Sequence, residues 1–373
     1  MVGVRRGVVV VIACLLAIGG AAECPYELLS GTIAVYPEVF PNHGPQNYIQ
    51  HPRATLLPDG GVVVTSNTGH CCYSARQAWE GVFALWYEPG GGVPLWQPIY
   101  GTNDYGRSWA GQHEMGFVDA AYMCDRWVVA GIGTLDGTSD LSNRASVWVL
   151  EMKDITSGIL SSPWRRWFCS EAGCEPFAHP DTGMCIGSGF GTSFVRFRGR
   201  WYVYYSDDCA AVKTHYRREI VNPCDLALGP AERIYWIGGA FEGVGGFSLG
   251  RDGRIYALAD MADRRGLVEW WSGDGVWFVK TGRKWDAAGV GGLWDGSYLK
   301  TPSGTIVEPR VIVATEDDLN DIWQFAPANV WRIRWIADSP AALPSGWFQA
   351  PESLRTRIER RTGTVRRRLE TGG

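Results

Sequence analysis

Short runs in which apolar and polar residues alternate recur along the chain, and each is followed by a Gly- or Asp-containing turn and a second run of aromatic and β-branched residues. Alternation over about four to eight residues predicts a half-buried strand, and two such runs around a short turn predict an antiparallel hairpin. No long stretch has the apolar spacing that predicts an amphipathic helix. The hairpin unit occurs five times, starting at His51, Gly116, Gly189, Gly243 and Leu293.

The spacing of these units predicts how they assemble. Their turns fall near Gly60, Asp125, Gly199, Gly253 and Gly304, which are 65, 74, 54 and 51 residues apart. Such spacing suits a four-stranded sheet with its loops better than a helical repeat. The sequence therefore predicts an all-β fold, a β-propeller with five blades of antiparallel four-stranded sheets.

The two ends of the repeat region predict how the ring closes. Residues 330–337 (VWRIRWIA) alternate like a strand, and residues 32–36 supply a second strand near the N-terminus. If both strands share one blade, the ring has no exposed sheet edge. We therefore expect N- and C-terminal strands to close the propeller, which we assign to residues 23–350.

The composition agrees with twisted sheets and tight turns. The chain has 19 Trp, 15 Tyr and 13 Phe residues, which pack well on a pleated face, and 48 Gly residues, which adopt positive φ in turns. The formal net charge is −4, so the composition gives no reason to expect nucleic-acid binding.

The N-terminus predicts export. Arg5 and Arg6 precede an apolar run over residues 7–22, and Gly20 and Ala22 are the small residues of a cleavage site. Residues 1–22 are therefore predicted to be a secretory signal peptide. A transmembrane anchor is the alternative, but the run is shorter than the roughly 20 apolar residues that span a bilayer. We expect a secreted or periplasmic protein without a stable membrane span.

The tail over residues 351–373 differs from the rest of the chain. It contains seven Arg residues and almost no large apolar residues, so it buries too little surface to fold by itself. We predict a basic, disordered tail, and a frayed helix is the alternative.

Cysteine usage also fits an oxidising compartment. Nine cysteines remain after residue 22, an odd number, so at least one is free or pairs between chains. The close pairs Cys169 with Cys174 and Cys209 with Cys224 are the disulfides we predict, since each would close a loop. No C-x-x-C motif occurs, which argues against a zinc site.

One motif connects the chain with a known superfamily. Residues 102–109 (TNDYGRSW) match the Asp-box of the sialidase superfamily, S/T-x-D-x-G-x-S/T-W, through Thr102, Asp104, Gly106, Ser108 and Trp109. In such a hairpin the Asp accepts backbone N–H bonds, the Gly permits the bend and the Trp packs between sheets. Its role is structural. Residues 272–277 (SGDGVW) are a shorter echo of the same motif.

The chain departs from sialidases at their functional positions. Aligning residues 57–60 (LPDG) with the sialidase first blade places Gln50 where that family has its substrate-binding Arg, and Arg53 follows three residues later. Strict alternation would place Arg53 on the opposite face of the strand. In the last blade Asp295 stands at the position of the nucleophilic Tyr, with Tyr298 three residues further on. These departures argue against sialidase activity.

The chain also resembles the five-bladed glycoside hydrolases that act on arabinose- and xylose-containing glycans. Glu242-Gly243 precedes the fourth unit as the E-G-P motif of that family precedes its own strand, with Val244 in place of Pro. The resemblance implies a base Asp, an orienting Asp and an acid Glu that project from different blades into a central funnel.

The residues themselves suggest a similar set. Ligands of propellers usually contact the residues at which each innermost strand begins. In this chain the residues at those positions are His51 and Arg53, Glu114 and Asp119, Thr192 and Ser193, Glu242, and Trp294 and Asp295. Glycosidic cleavage needs one protonated acid and one carboxylate that activates water or attacks carbon. We predict Glu242 as the acid, Asp119 as the base or nucleophile and Asp295 as modulator or substrate anchor. The predicted substrate-binding residues are Arg53, His51, Trp294, Tyr298 and Glu114.

Structural interpretations of these residues stay open. An acidic residue at a strand entrance often caps a turn, and Arg53 is equally suited to a structural ion pair. His113-Glu114 lacks a second His four residues on, so it is not a zincin motif, and we predict no metal-ligating residues. No cofactor is expected apart from an optional structural calcium ion on the axis.

Two functions are consistent with this sequence. The first is an exported carbohydrate-active protein, a glycoside hydrolase that uses acidic residues in the funnel. The alternative is a non-catalytic propeller that binds glycan or an extracellular protein, because a propeller fold does not choose a function. The expected partner is accordingly an oligo- or polysaccharide or an extracellular protein.

Overall fold

The computed structural model describes residues 27–28, 49–68, 81–87, 95–98, 115–133, 146–156, 159–160, 165–169, 192–207, 214–238, 243–261, 265–286, 292–317 and 331–337. The predicted signal peptide (1–22), the Asp-box (102–109) and the basic tail (351–373) lie outside these residues. Within them all regular secondary structure is β-strand, and no helix is long and apolar enough to cross a membrane.

The strands, in chain order, are β1 Glu27–Leu28, β2 Ile49–Leu56, β3 Val62–Thr68, β4 Gly81–Tyr87, β5 Leu95–Pro98, β6 Met115–Met123, β7 Arg126–Gly133, β8 Ser146–Asp154, β9 Ile159–Leu160, β10 Arg165–Cys169, β11 Ser193–Phe197, β12 Arg200–Asp207, β13 Thr214–Asn222, β14 Ala227–Ile237, β15 Val244–Leu249, β16 Ile255–Asp260, β17 Gly266–Ser272, β18 Trp277–Asp286, β19 Gly292–Tyr298, β20 Val311–Asp317 and β21 Trp331–Ala337.

These strands group into antiparallel units of four. Unit 1 is β2–β3–β4–β5, unit 2 is β6–β7–β8–β10 with β9 beside β8, unit 3 is β11–β12–β13–β14 and unit 4 is β15–β16–β17–β18. Unit 5 is β19–β20–β21–β1, so an N-terminal strand completes the C-terminal sheet, and Glu27 pairs with Ile336. Closure by strands from both ends is therefore confirmed, although the N-terminal partner is β1. The predicted residues 32–36 lie outside the described part.

The first strands of the units form a ring. β2 contacts β6, β6 contacts β11, β11 contacts β15, β15 contacts β19, and β19 contacts β2 again. A ring of innermost strands with each sheet extending outward is the arrangement of a β-propeller. The predicted all-β propeller fold is thus confirmed. The number of blades stays a prediction, with which five described units agree.

The turns of the repeat lie where the sequence predicts them. Gly60, Asp125, Gly199, Gly253 and Gly304 all have positive φ, between 58° and 87°. This region of backbone space favours Gly and, after it, Asp or Asn. Each inner turn therefore contains such a residue, and the turns of units 2 and 3 contain a second left-handed residue, Cys124 and Arg198.

The apolar core lies between neighbouring units. Along β7, Trp127 and Val129 join the cluster between units 1 and 2, whereas Val128 and Ala130 join the cluster between units 2 and 3. Corresponding clusters lie between units 3 and 4 and between units 4 and 5. Successive side chains of a strand point to opposite faces, so a sheet that is covered on both faces needs apolar residues at odd and even positions alike.

Two connections tie neighbouring units together. The end of β14 pairs in parallel with the start of β18, which joins units 3 and 4 into one eight-stranded sheet. A disulfide joins Cys124 in the inner turn of unit 2 to Cys224 in the β13–β14 turn of unit 3, with a Cα–Cα distance of 5.2 Å.

The disulfide corrects one prediction. The predicted pair of Cys209 with Cys224 is wrong, because Cys224 is bonded to Cys124, 100 residues away in sequence. The propeller places two turns of adjacent units side by side, and this proximity outweighs nearness along the chain. Cys169 is also disulfide-bonded, and its predicted partner Cys174 lies outside the described residues.

A short segment crosses one end of the ring. Residues 299–306, which we call the plug segment, turn at Gly304 and are closed by an N–H bond from Thr301 to the carbonyl of Thr305 (2.7 Å). Carbonyl oxygens of residues 300, 302, 303 and 304 accept N–H bonds from four other first strands, at Leu56 (2.7 Å), Tyr122 (3.0 Å), Arg196 (3.1 Å) and Leu249 (2.8 Å). The plug segment thus satisfies backbone donors from units 1 to 4 at the turn-side end of the ring.

Candidate functional site

The first strands share an irregularity at the end opposite the plug segment. Each of four strands carries one extra residue relative to its neighbour: β2 between Gln50 and Arg53, β6 between Gly116 and Asp119, β15 between Val244 and Gly246, and β19 between Trp294 and Ser297. Such β-bulges turn side chains away from the regular alternation and are common next to active sites. Because of the bulge in β2, strict alternation does not hold between Gln50 and Arg53, so it does not place their side chains on opposite faces.

His51 and Asp295 form the most unusual pair at this level. Both have left-handed backbones, with φ of 52° and 51°, and Nδ1 of His51 contacts Oδ2 of Asp295. The backbone N–H of His51 donates to Oγ1 of Thr315 (3.2 Å), and the ring of Trp294 packs edge-on against the imidazole with centroids 5.7 Å apart. Left-handed non-Gly residues held by such contacts cluster at functional sites.

Arg53 links units 1, 4 and 5. It is 1% exposed, and its guanidinium donates to the carbonyls of Pro52 (2.9 Å), Asp295 (3.4 Å) and Gly245. Burial lowers the pKa of Arg53, while the nearby carboxylates of Asp295, Asp119 and Asp260 act to raise it. The guanidinium is therefore occupied by backbone carbonyls and surrounded by three acidic residues.

Asp119 and Lys300 form a buried ion pair. Their side chains are 0% and 2% exposed, and Nζ of Lys300 contacts Oδ2 of Asp119, which also accepts the backbone N–H of Phe194 (2.7 Å). Burial lowers the pKa of Lys300, and the charge of Asp119 opposes this shift. The second oxygen, Oδ1 of Asp119, is buried and has no hydrogen-bond partner among the described residues.

A third carboxylate completes the arrangement. Oδ1 of Asp260, at the end of β16, accepts the backbone N–H of Asp295 (2.7 Å). We refer to the buried set as the axial cluster, which consists of His51, Arg53, Asp119, Asp260, Asp295 and Lys300. Its charged groups come from units 1, 2, 4 and 5, so the fold brings together residues that are up to 249 positions apart.

The other predicted site residues lie in different surroundings. Trp294 lies against the axial cluster through His51 and is 4% exposed. Tyr298 points its hydroxyl to Glu269 of unit 4 (2.6 Å) and is 1% exposed, and burial and this carboxylate raise its pKa. It therefore lies in a contact between units 4 and 5. Glu242 and Glu114 lie outside the described residues.

Two members of the axial cluster were absent from the predicted set. Asp260 ends an otherwise apolar strand (IYALAD), and Lys300 follows the buried strand β19. A charged residue that ends a buried strand is a signal for a paired interior charge, because such a group is rarely buried alone. Neither residue lies at the start of a first strand, and the predicted set was taken from those positions alone.

The described residues do not test the expected structural calcium ion. In the part of the chain that the structure describes, no three or more His, Cys, Asp or Glu side chains are grouped to hold a metal ion. The optional calcium ion on the axis stays a prediction.

The close contact between β15 and β19 depends on Gly245. A Cβ atom at Gly245 would lie 2.2 Å from the backbone oxygen of Gly296, which cannot rotate away. We expect Gly245→Ala to lower the free energy of unfolding by about 1–3 kcal/mol, the usual effect of overpacking. Urea unfolding measures this. Gly229→Ala is the control, since its Cβ would meet no atom closer than 3.6 Å, and an equal loss in both variants would contradict the argument.

The echo of the Asp-box forms the turn that its residues predict. Oδ1 of Asp274 accepts the backbone N–H groups of Val276 (2.8 Å) and Trp277 (3.0 Å), and Gly275 has a φ of 80°. Burial acts to raise the pKa of Asp274, but these N–H bonds outweigh it and lower the pKa. Trp277 departs from the motif's logic, because it is 50% exposed instead of packed between sheets.

The comparisons with known proteins identify the fold. No protein-family model matches the chain, and no curated protein matches its sequence. Among solved structures it resembles a thermostable family-43 glycoside hydrolase, with a TM-score of 0.53 and 12% identity over 83% of this chain and 99% of that one.

Two further structures are similar. A GH43 β-xylosidase/α-arabinofuranosidase from a compost microbial metagenome, solved in complex with xylotriose, has a TM-score of 0.51 and 11% identity over 84% of this chain and 95% of that one. A family 117 glycoside hydrolase from Zobellia galactanivorans has a TM-score of 0.51 and 12% identity over 83% and 91%. The chain therefore has the fold of the β-propeller glycoside hydrolases.

Proposed function

We propose that the protein is an exported carbohydrate-active protein that hydrolyses O-glycosidic bonds at the bulged end of its ring, opposite the plug segment. The observation that carries the proposal is the convergence of Asp119 and Asp295, from units 2 and 5, around Arg53 at the level of the bulges. Glycosidic cleavage needs a protonated acid and a second carboxylate that activates water or attacks carbon, and Asp119 is the candidate for the second role. The shared fold supports this chemistry by analogy.

Asp119 is suited to the role of base or nucleophile. Its Oδ2 is held by Lys300 and the amide of Phe194, which fixes the carboxylate plane. A buried carboxylate oxygen without a partner is unfavourable unless a water or ligand hydroxyl donates to it. Oδ1 is in that situation with respect to the described residues, so it is the atom that would accept a proton from water.

Asp295 is suited to modulating the site. Its Oδ2 contacts Nδ1 of His51. Its backbone N–H donates to Asp260, and its carbonyl accepts a bond from Arg53. Contacts of this kind hold the carboxylate in one orientation, which favours productive contact with a substrate. Glu242, immediately before the described start of unit 4, is assigned as the proton-donating acid, and His51, Arg53, Trp294 and Glu114 as residues that shape the substrate site.

Export is proposed on two grounds. The sequence begins with the charged and apolar pattern of a signal peptide, and Cys124, Cys224 and Cys169 are disulfide-bonded. Disulfides form and persist in extracellular and periplasmic compartments. We therefore place the protein outside the cytoplasm, where polysaccharides are accessible.

One observation favours the alternative, a non-catalytic glycan-binding propeller. Asp119 is 0% exposed and is ion-paired with Lys300, and Arg53 donates to three carbonyls. Buried, paired charges of this kind can also serve to fix the relative position of neighbouring units. In that case sugars would bind at the rim without being cleaved.

Sugar release tests the proposal directly. Disulfide-intact protein is incubated with aryl-glycosides and with plant, microbial and sialylated polysaccharides, beside Glu242→Gln and Asp119→Asn. We expect release from at least one substrate and a loss of about a hundredfold to ten-thousandfold in each variant, the usual contribution of an acid–base group.

The control variant is Asp286→Asn, which removes a half-exposed carboxylate on the outer strand β18. It should release sugar at the wild-type rate. Circular dichroism confirms that each variant is folded. A folded wild type that releases no sugar from any substrate would overturn hydrolysis and leave the binding function.

A further inference from the structure

Three of the five large hydrophobic side chains that are exposed among the described residues lie together. Tyr235 and Ile237 on β14 and Trp277 on β18 are 40%, 50% and 50% exposed, while Tyr122 and Val221 lie elsewhere. The parallel pairing of β14 with β18 sets Tyr235 opposite Trp277 and Ile237 opposite Val279. Exposed apolar side chains that cluster in this way mark interaction sites, whereas single ones need no explanation.

The aromatic rings form an ordered stack. Tyr235 and Trp277 have ring centroids 4.3 Å apart and planes 15° from parallel, and the guanidinium carbon of Arg233 lies 5.5 Å from the centroid of Tyr235. We call this set the outer aromatic stack, which consists of Arg233, Tyr235 and Trp277. It lies on the fourth strands of units 3 and 4, whereas the axial cluster lies on first strands, on the end of β16 and on the plug segment.

Backbone bonds fix the stack before any ligand arrives. The N–H of Tyr235 donates to the carbonyl of Val276 (2.8 Å), and the N–H of Trp277 donates to Asp274 (3.0 Å). The carbonyl of Asp274 in turn accepts a bond from Arg217 (2.7 Å). A binding surface that is rigid in advance loses less entropy on binding.

We propose that the outer aromatic stack is a second carbohydrate-binding site, which takes the pyranose units of a neutral polysaccharide. A pyranose ring has an apolar C–H face and a rim of hydroxyl groups. The exposed indole of Trp277 buries the C–H face, and the five N–H donors of Arg233 can bond to hydroxyl oxygens. This inference does not rest on catalysis at the axial cluster.

The size and the edges of the site argue against a protein partner. A fully buried aromatic side chain contributes roughly 150–250 Å², so two half-exposed rings offer roughly 200 Å², far below the roughly 800 Å² per partner of a stable interface. Residues 235–237 and 277–279 also pair with each other, so at the stack itself no sheet edge is open for addition of a second chain.

Electrophoresis in gels that contain soluble xylan, galactomannan or mixed-linkage β-glucan, all with pyranose backbones, tests the site. All variants are made in the Glu242→Gln background, so that the polysaccharide is not cleaved. We expect the parent to be retarded by at least one polysaccharide, and Trp277→Ala to raise the dissociation constant about tenfold. Tyr235→Ala should weaken retardation less, because Trp277 keeps its exposed face.

Tyr122→Ala is the matched control, since Tyr122 is 42% exposed near the end of β6, far from the outer aromatic stack in the fold, and its retardation should equal that of the parent. Equal retardation of Trp277→Ala and the parent would overturn the proposal, as would no retardation by any of the three polysaccharides. Self-association that sedimentation detects in the parent and that Trp277→Ala abolishes, without retardation, would identify an interface between copies instead. Sugar release by otherwise wild-type Trp277→Ala is measured separately, so failure of hydrolysis and failure of this site are distinguished.

Discussion

Lys300→Met is expected to lower the free energy of unfolding by about 3–5 kcal/mol, because it leaves the buried carboxylate of Asp119 without its cation. Both side chains are almost completely buried, so water cannot replace the lost partner. Met fills a similar volume, which limits the contribution from a cavity. Urea unfolding followed by tryptophan fluorescence measures the change.

The double variant Asp119→Asn/Lys300→Met separates charge from packing. It removes both charges, so it should recover a large part of the loss. The control is Lys284→Met, which breaks a pair with Asp286 in which both side chains are more than half exposed, and which should change stability little. A loss below about 1 kcal/mol for Lys300→Met would show that Asp119 is compensated in another way.

Removal of the Cys124–Cys224 disulfide should have an effect of similar size. In Cys124→Ala/Cys224→Ala, we expect the free energy of unfolding to fall by about 2–5 kcal/mol, because the bridge closes a loop of 100 residues and so restricts the unfolded chain. Both cysteines are replaced together so that no new thiol is left to mispair. Urea unfolding under non-reducing conditions measures the loss.

Arg126 provides the alternative explanation for how these turns stay together. Its guanidinium donates to the carbonyls of Cys224 (2.7 Å) and Pro223 (3.4 Å) across the same junction. Reduction of the double variant with dithiothreitol is the control, because any remaining effect reports other disulfides, such as that of Cys169. A double variant as stable as the wild type would show that Arg126 and the apolar cluster suffice.

The repeated features of the fold could be predicted from the sequence because they are local. A strand pattern needs only neighbouring residues, and each inner turn is marked by a residue that tolerates positive φ, as Gly60 and Asp125 show. Closure of the ring followed from an alternating run near the C-terminus. These signals recur in each unit, so one weak copy does not change the interpretation.

The site was predictable only in part because it depends on contacts between units. His51, Arg53, Asp119 and Asp295 could be selected together from the sequence because they belong to the first strands that form the ring, and all four lie in the axial cluster. The bulges that reorient them follow from Pro and Gly positions whose effect depends on the paired strand. Lys300 could not be matched to Asp119, because nothing in the sequence says that the plug segment crosses the ring.

The plug segment also limits how a polymer can be handled. Because four first strands are bonded to residues 300–304, the turn-side end of the ring is closed. A long chain therefore cannot thread through it, and whatever reaches the axial cluster must leave by the way it came. For the proposed glycoside hydrolase, this closed end favours chain ends and short side branches as substrates over the middle of an unbranched backbone.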